Sequence, residues 1–250
     1  MRGSLAFLQH TRFDIAFAIS FFGSFQDKPT ELAWKYLVLC AQYARATADY
    51  GIVFWVRPVN EFAIEAYCDA SFGKHAQEGY IVAVNGSPIL WRSGKQRCVA
   101  LSTMKAELRA MYNCMDSLIL NLHLFSQLQV KCYVKLYSDA LNVVTLIRSP
   151  HPKPAEKHLL IEICQMQAIV DGDLSTRVAR LRTVSEKLMN RDVHDCMYLG
   201  MAIDELTRYM PTVPIHLEHC EGLTNPADAF TKSVDVCLLV DRYTHKVSTS

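Results

Sequence analysis

The sequence is poor in the features that mark several protein classes. An excess of charge of one sign is missing: 26 Lys and Arg stand against 25 Asp and Glu, a formal net charge of +1. That excludes the strongly basic fingerprint of a free nucleic-acid-binding domain and leaves open a local patch or a partner domain that does the gripping. Nine cysteines are present without one Cys-x-x-Cys pair, so no zinc ribbon or redox motif is written here. His216, His219 and Cys220 make half a ligand set, which is usually no site. No secretory signal is seen, and unpaired thiols suit a reduced compartment, so the expected location is intracellular, in the cytoplasm or the nucleus. No apolar run reaches the roughly 18 residues of a membrane span, and the apolar stretch from Phe13 to Phe25 is broken by Asp14, so no membrane partner is expected. Internal repeats and low-complexity tracts are also absent.

What is present is enough apolar material for a proper core: 250 residues, half hydrophobic and a fifth charged. Residues 4–25 read as one helix, with Leu5, Leu8, Ile15, Ala18 and Ile19 near helical spacing and Gly23 as its stop. Thr30 is a good N-cap for a second helix with Trp34, Leu37, Val38 and Ala41 on one face. A strand from Ile52 to Val56 follows, then a linker at 57–60.

Beyond Phe62 the pattern changes to strands. Ile64, Ala66 and Cys68 alternate with Glu65, Tyr67 and Asp69, the period of a half-buried strand that ends on an acid. Asn85-Gly86 is the strongest short hairpin signal, and it joins a strand at Tyr80–Val84 to one from Ile89. Ser102 or Thr103 caps a long helix that carries Glu107 in its second turn. Val134 to Tyr137 is a further strand, followed at once by Asp139. A short helix from Ala140 to Ile147 ends before His151-Pro-Lys-Pro154, and another helix spans 155–170. Val178, Leu181, Val184 and Leu188 suggest amphipathic helices within 175–210. A strand is expected at 213–218, and Asn225-Pro-Ala-Asp228 begins a last helix. The stretch after Ser233 carries no clear pattern.

Taken alone, Asp69 is an ordinary strand-end acid. Glu107, Asp139 and Asp228 recur at strand ends and helix starts, and a mixed sheet with packed helices can bring all four to one point. Four carboxylates repel each other unless a cation is present, so at least one pKa should be raised without metal. Oxygen-only ligands select hard ions, Mg²⁺ or Mn²⁺, and two such ions serve in-line displacement at a phosphodiester. Asp69, leaving the central strand, is the expected bridging ligand.

At these residues the chain resembles the ribonuclease H domain of copia-type retrotransposon polyproteins. The matching words are Tyr67-Cys-Asp-Ala-Ser71, Gly79-Tyr-Ile-Val-Ala-Val-Asn-Gly86, Trp91-Arg-Ser-Gly-Lys-Gln-Arg97, Ala106-Glu-Leu108, Leu136-Tyr-Ser-Asp139, Glu156-Lys-His158 and Asn225-Pro-Ala-Asp-Ala-Phe-Thr-Lys232. Thr11-Arg-Phe-Asp-Ile-Ala16, Trp34 and Thr47-Ala-Asp-Tyr-Gly51 resemble the stretch joining reverse transcriptase to ribonuclease H. The resemblance implies a ribonuclease H-like three-layer α/β fold with a mixed five-stranded sheet. Its strands fall near 63–69, 79–85, 88–93, 133–138 and 213–218, the first and fourth adjacent and parallel. Residues 1–60 would be a helical remnant of the reverse-transcriptase thumb or connection, 61–233 the ribonuclease H-like domain with a helical insertion at 175–212, and 234–250 a tail.

The implied activity is endonucleolytic hydrolysis of the RNA strand of RNA–DNA hybrids. Asp69, Glu107, Asp139 and Asp228 would be catalytic and would hold two Mg²⁺ ions, and the reverse-transcriptase domain of the same polyprotein would be a partner. Lys95 and Arg97, with Ser71 and Ser102, are candidate nucleic-acid contacts. The chain departs from the family at Lys105, where an acid is usual, at Phe13, where proline is usual, and in the length of 175–212. The alternative is a catalytically inactive retroelement remnant that binds nucleic acid or protein.

Overall fold

The structure is a computed structural model, and it describes residues 2–55, 61–73, 76–96, 100, 102–149, 159–172, 175–176, 179, 183, 211, 213–232 and 237–246. Arg97, His158 and nearly all of the 175–212 segment, with Val178, Leu181, Val184 and Leu188, lie outside the described residues.

The chain opens with α1 (Arg2–Leu8), a 3-10 turn at Phe13–Ile15, α2 (Ala16–Gly23) and α3 (Glu31–Ala46). The single helix expected over 4–25 is therefore two, broken at residues 9–12. The break has a clear cause. The Arg12 guanidinium grips both oxygens of Asp14, at 2.9 and 2.7 Å, and donates to the Thr47 carbonyl at 2.9 Å. Tyr43 donates to Asp14 at 2.9 Å, so the break is tied to α3 from both sides of the carboxylate. A continuous helix would swing Arg12 and Asp14 away from these partners. Leu5, Ile15 and Ile19 pack with Leu37, Cys40 and Ala44 into a small helical core. Thr30 caps α3 as expected, accepting from Ala33 N at 3.1 Å, but Trp34 is 57% exposed and lies off the buried face.

Next come β1 (Tyr50–Ile52), β2 (Phe62–Ala70), β3 (Gln77–Val84), β4 (Ser87–Lys95), α4 (Thr103–Gln127), β5 (Cys132–Ser138), α5 (Leu141–Arg148), α6 (Leu159–Ile169) and β6 (Ile215–His219). The chain then forms 3-10 turns at Gly222–Thr224 and Pro226–Phe230, α7 (Cys237–Tyr243) and β7 (Thr244–Lys246). The strand expected over 52–56 is displaced: β1 covers Tyr50–Ile52 and shares only Ile52 with it, because that is where the antiparallel partner β7 pairs. The stretch after Ser233, which carried no pattern, supplies α7 and β7; their apolar residues fill a site made by distant segments, and that leaves no local period to read.

The main sheet has five strands in the order β4-β3-β2-β5-β6. β2 pairs antiparallel with β3 and parallel with β5, and β5 pairs parallel with β6. Asn85 and Gly86 turn the hairpin with φ of 51° and 82°, the left-handed pair that a two-residue primed turn requires. The period-two pattern of β2 is kept. Ile64, Ala66 and Cys68 face α4, α5 and α6 in the large core, while Tyr67 faces the other side. There it joins Phe13, Ile81, Phe230, Leu239 and Tyr243. Helices, the mixed five-stranded sheet and a second layer on its other face make the three-layer α/β arrangement expected from the sequence. Among the described residues no helix is long and apolar enough to cross a membrane.

Gly79 fixes how closely the second layer sits. A Cβ built there would lie 2.3 Å from Phe230 Cβ and 3.2 Å from the Phe230 carbonyl carbon, so only glycine admits the Pro226–Phe230 turn at this distance. Gly79→Ala should lower the unfolding free energy by about 1–3 kcal/mol, the usual cost of overpacking. Gly3→Ala, in α1 with nothing within 4 Å, is the contrasting control in the same chemical denaturation series and should be neutral or stabilising by up to about 1 kcal/mol.

Candidate active site

The acids are assembled by strand register. β2 and β5 are parallel and pair Cys68 with Ser138, so the next residues, Asp69 and Asp139, leave the sheet side by side. Neighbouring strands are about 4.8 Å apart, which sets the spacing of the two carboxylates. Asp228 arrives from the second helical layer. Asn225, fully buried, donates from Nδ2 to the Cys68 carbonyl at 3.1 Å and accepts from Ala227 N at 3.1 Å through Oδ1. It is therefore both the cap of the Pro226–Phe230 turn and its attachment to the strand that carries Asp69. The final helix expected from Asn225 is this short 3-10 turn, held by a long-range bond that a local reading does not see.

Asp69, Asp139 and Asp228 offer carboxylate oxygens that all lie within 4.8 Å of one another. Among the described residues this is the one group of acids, histidines and cysteines close enough to share an ion. Glu107 stands outside that group. It reaches the same strand end from α4, and its Oε2 accepts from Ala70 N at 3.1 Å.

The electrostatics follow from burial. Asp69 is fully buried and its pKa is pushed up to about 6, first by loss of solvent, with Asp228 and Asp139 adding to the rise and Thr231 and Lys232 opposing it. Glu107 is pushed up to about 9, again by burial first and then by the charges of Asp69 and Asp139. Asp139 is raised by burial and by Asp228. The mutual repulsion expected from sequence is present but is the smaller cause at each of the three. Asp69 Oδ2 accepts from the Thr231 hydroxyl and lies 3.5 Å from Lys232 Nζ, which is also 3.1 Å from Asp228 Oδ1. Asp69 Oδ1 is buried with no hydrogen-bond partner. A buried, unanswered carboxylate oxygen facing two more carboxylates fits a hard divalent cation.

The other candidates are placed differently. Ser71 accepts from Gln77 N at 2.9 Å and closes the loop after β2. Ser102 caps α4, accepting from Lys105 N at 3.2 Å. Lys95 is exposed at the end of β4 and pairs in register with Gln77. His219 pairs with Ser138 in register and its charge acts on Asp139. His216 bonds Asp171 at 3.3 Å, so the loose histidine and cysteine cluster does not converge. Sequence reasoning assigned no role to Asn225, Thr231 or Lys232. All three stand in the Asn225–Lys232 word beside Asp228, and that proximity was the available signal.

No family model matches the chain. The retrovirus-related Pol polyproteins from transposons RE2 and RE1 of Arabidopsis thaliana are each 29% identical to it over 167 residues, covering 64% of this chain and 11% of each polyprotein. Secreted RxLR effector protein 161 of Plasmopara viticola is 31% identical over 106 residues, covering 40% of this chain and 73% of that protein. The crystal structure of LC11-RNase H1 in complex with RNA/DNA hybrid aligns at 12% identity over 68% of this chain and 94% of that one, with a TM-score of 0.37. The chain thus spans 11% of the length of the polyproteins it matches. Over that part it is similar to the retrovirus-related Pol polyproteins of plant transposons.

Proposed function

We propose that the chain hydrolyses the RNA strand of RNA–DNA hybrids at the Asp69 site. The observation that carries the reading is the trio Asp69, Asp139 and Asp228 within 4.8 Å, with one Asp69 oxygen buried and unpartnered. Asp69, Asp139 and Asp228 would hold Mg²⁺ or Mn²⁺, two ions if Glu107 swings from Ala70 N to complete the set. The bound metal supplies Lewis acidity at a phosphoryl oxygen and a water of lowered pKa. Asp69, the buried member of the trio with an unpartnered oxygen, would be the shared ligand. Asn225 and Gly79 hold Asp228 in place, and Thr231 orients the Asp69 carboxylate. Such a site senses A-form-like geometry and the 2′-OH rather than base sequence.

The reverse-transcriptase domain of the same polyprotein is the proposed partner of the N-terminal helices. Phe7, Leu32, Trp34 and Leu39 are exposed there and support a covered face. One observation favours the inactive remnant. Lys232 pairs with both Asp69 and Asp228 and so answers charge that a metal would answer.

Two measurements test the reading. With a labelled hybrid, wild type should cleave the RNA strand only in Mg²⁺ or Mn²⁺. Asp69→Asn keeps the shape and removes the charge, so it should lower the rate by about 100-fold or more, on the scale of losing a main electrostatic group. No cleavage by wild type in either metal would give the remnant the site.

The second measurement is pH dependence without metal. Glu107 has a raised folded pKa, so its share of stability is present below the ordinary glutamate range and is lost as pH rises through about 9. Asp69 loses its share as pH rises through about 6. In a chelator the Tm should therefore fall from acid to alkaline pH. Glu107→Gln should remove much of that fall, and so should Mg²⁺ added to wild type. A Tm profile that is the same in wild type and Glu107→Gln would reject the raised carboxyl.

A further inference from the structure

Three loops leave the edge of the sheet at which the acids stand, after β2, β5 and β6. These strands are mutually parallel, so all three loops emerge on one side. Each connection carries one large, exposed apolar side chain, Phe72 and Leu223 on loops and Leu141 as the first residue of α5. Phe72 is 53% exposed, Leu141 57% and Leu223 93%. Phe72 lies three residues after Asp69, Leu141 two after Asp139, and Leu223 five before Asp228. A single exposed leucine is ordinary. Three such residues around one carboxylate pocket, on strands that span about 10 Å from β2 to β6, make a patch.

Hydrogen bonds tie the described residues of these connections. Ser71 N donates to the Gln77 carbonyl at 2.9 Å and Ser71 Oγ accepts from Gln77 N at 2.9 Å, which closes the stem below Phe72. Leu141 N donates to the Asp139 carbonyl at 3.0 Å. Thr224 caps the turn around Leu223, donating from N and from Oγ1 to the Glu221 carbonyl, both at 2.9 Å. A Cβ on Gly222 would lie 3.3 Å from Asp139 Oδ2, so this turn is seated against the acid itself. Backbone beside each apolar group is thus hydrogen-bonded, which lessens the ordering that a partner must impose.

We infer that Phe72, Leu141 and Leu223 form an apolar rim that grips the sugar faces of a nucleic-acid duplex laid across the acidic site. The inference rests on the hybrid-cleaving reading for its occupant and deepens it. With a formal charge of +1 the chain has no general excess of cations to meet phosphates, and apolar contacts would add to what a local basic patch supplies. The minor groove of an A-form-like duplex is wide and shallow and exposes sugar surface, so short apolar side chains can reach it. An aromatic ring also stacks on any base and needs no sequence.

The test measures binding apart from turnover. The full chain with Asp69→Asn is titrated against a fluorescent RNA–DNA hybrid by anisotropy, across a salt series. Phe72→Ser and Leu223→Ser, added to that background, should each weaken binding about 5-fold or more, the scale of losing part of a buried apolar side chain. The salt slope should stay the same in both, whereas Lys95→Ala should reduce it if that lysine meets phosphate. Tm should not change, since these side chains lie in water. Unchanged affinity in both apolar variants, a slope that moves with them, a fall in Tm, or no binding by the parent would each overturn the rim. Binding that depends on the rim, beside a wild type that fails to cleave in Mg²⁺ or Mn²⁺, would keep the rim and reject the catalytic reading.

Discussion

Taking the Asp69 carboxylate out of water costs several kcal/mol unless polar groups answer it. One of its oxygens is met by Thr231 and Lys232, and the other is met by nothing. The rest of the site is arranged around that imbalance. Asp139 and Asp228 stand close enough to share a cation with it, and Glu107 sits just behind on the Ala70 amide. The raised carboxyls of Asp69, Glu107 and Asp139 are the electrostatic trace of the same burial. Lys232, near both Asp69 and Asp228, lowers the cost without filling the buried side.

The geometry is inherited from the sheet. Parallel pairing of β2 with β5 fixes the spacing of two acids before any side chain is considered. The third is set by backbone contact, through the missing Cβ of Gly79 and the amide of Asn225. Both devices act on main chain, so the position of Asp228 depends little on its own side-chain rotamer.

Much of this was legible in the sequence, for definite reasons. A two-residue period marks β2 because one face meets α4 and the other meets Tyr67's cluster. Asn85-Gly86 announces its turn because few residue pairs tolerate two positive φ angles. Ser102 and Thr30 announce helices through their own cap bonds. What stayed hidden depends on distant partners. The break at residues 9–12 is made by Thr47 and Tyr43, more than 28 positions away in the chain. The exposure of Trp34 and the short β1 likewise depend on what does, or does not, pack from elsewhere. At the site, a carboxylate could be picked out by type and place, but Asn225 and Thr231 act through bonds to Cys68 and Asp69 that no local window contains.

Those two bonds join residues 157 and 162 positions apart. Contacts of such long sequence separation are slow to form, because a large loop must close before they are rewarded. They also cannot exist on a ribosome until Asn225 and Thr231 have been made, after all five strands of the main sheet. Asp69, Glu107 and Asp139 are all in the chain before Asp228 is added, so the acid set is complete only once the Asn225–Lys232 turn exists.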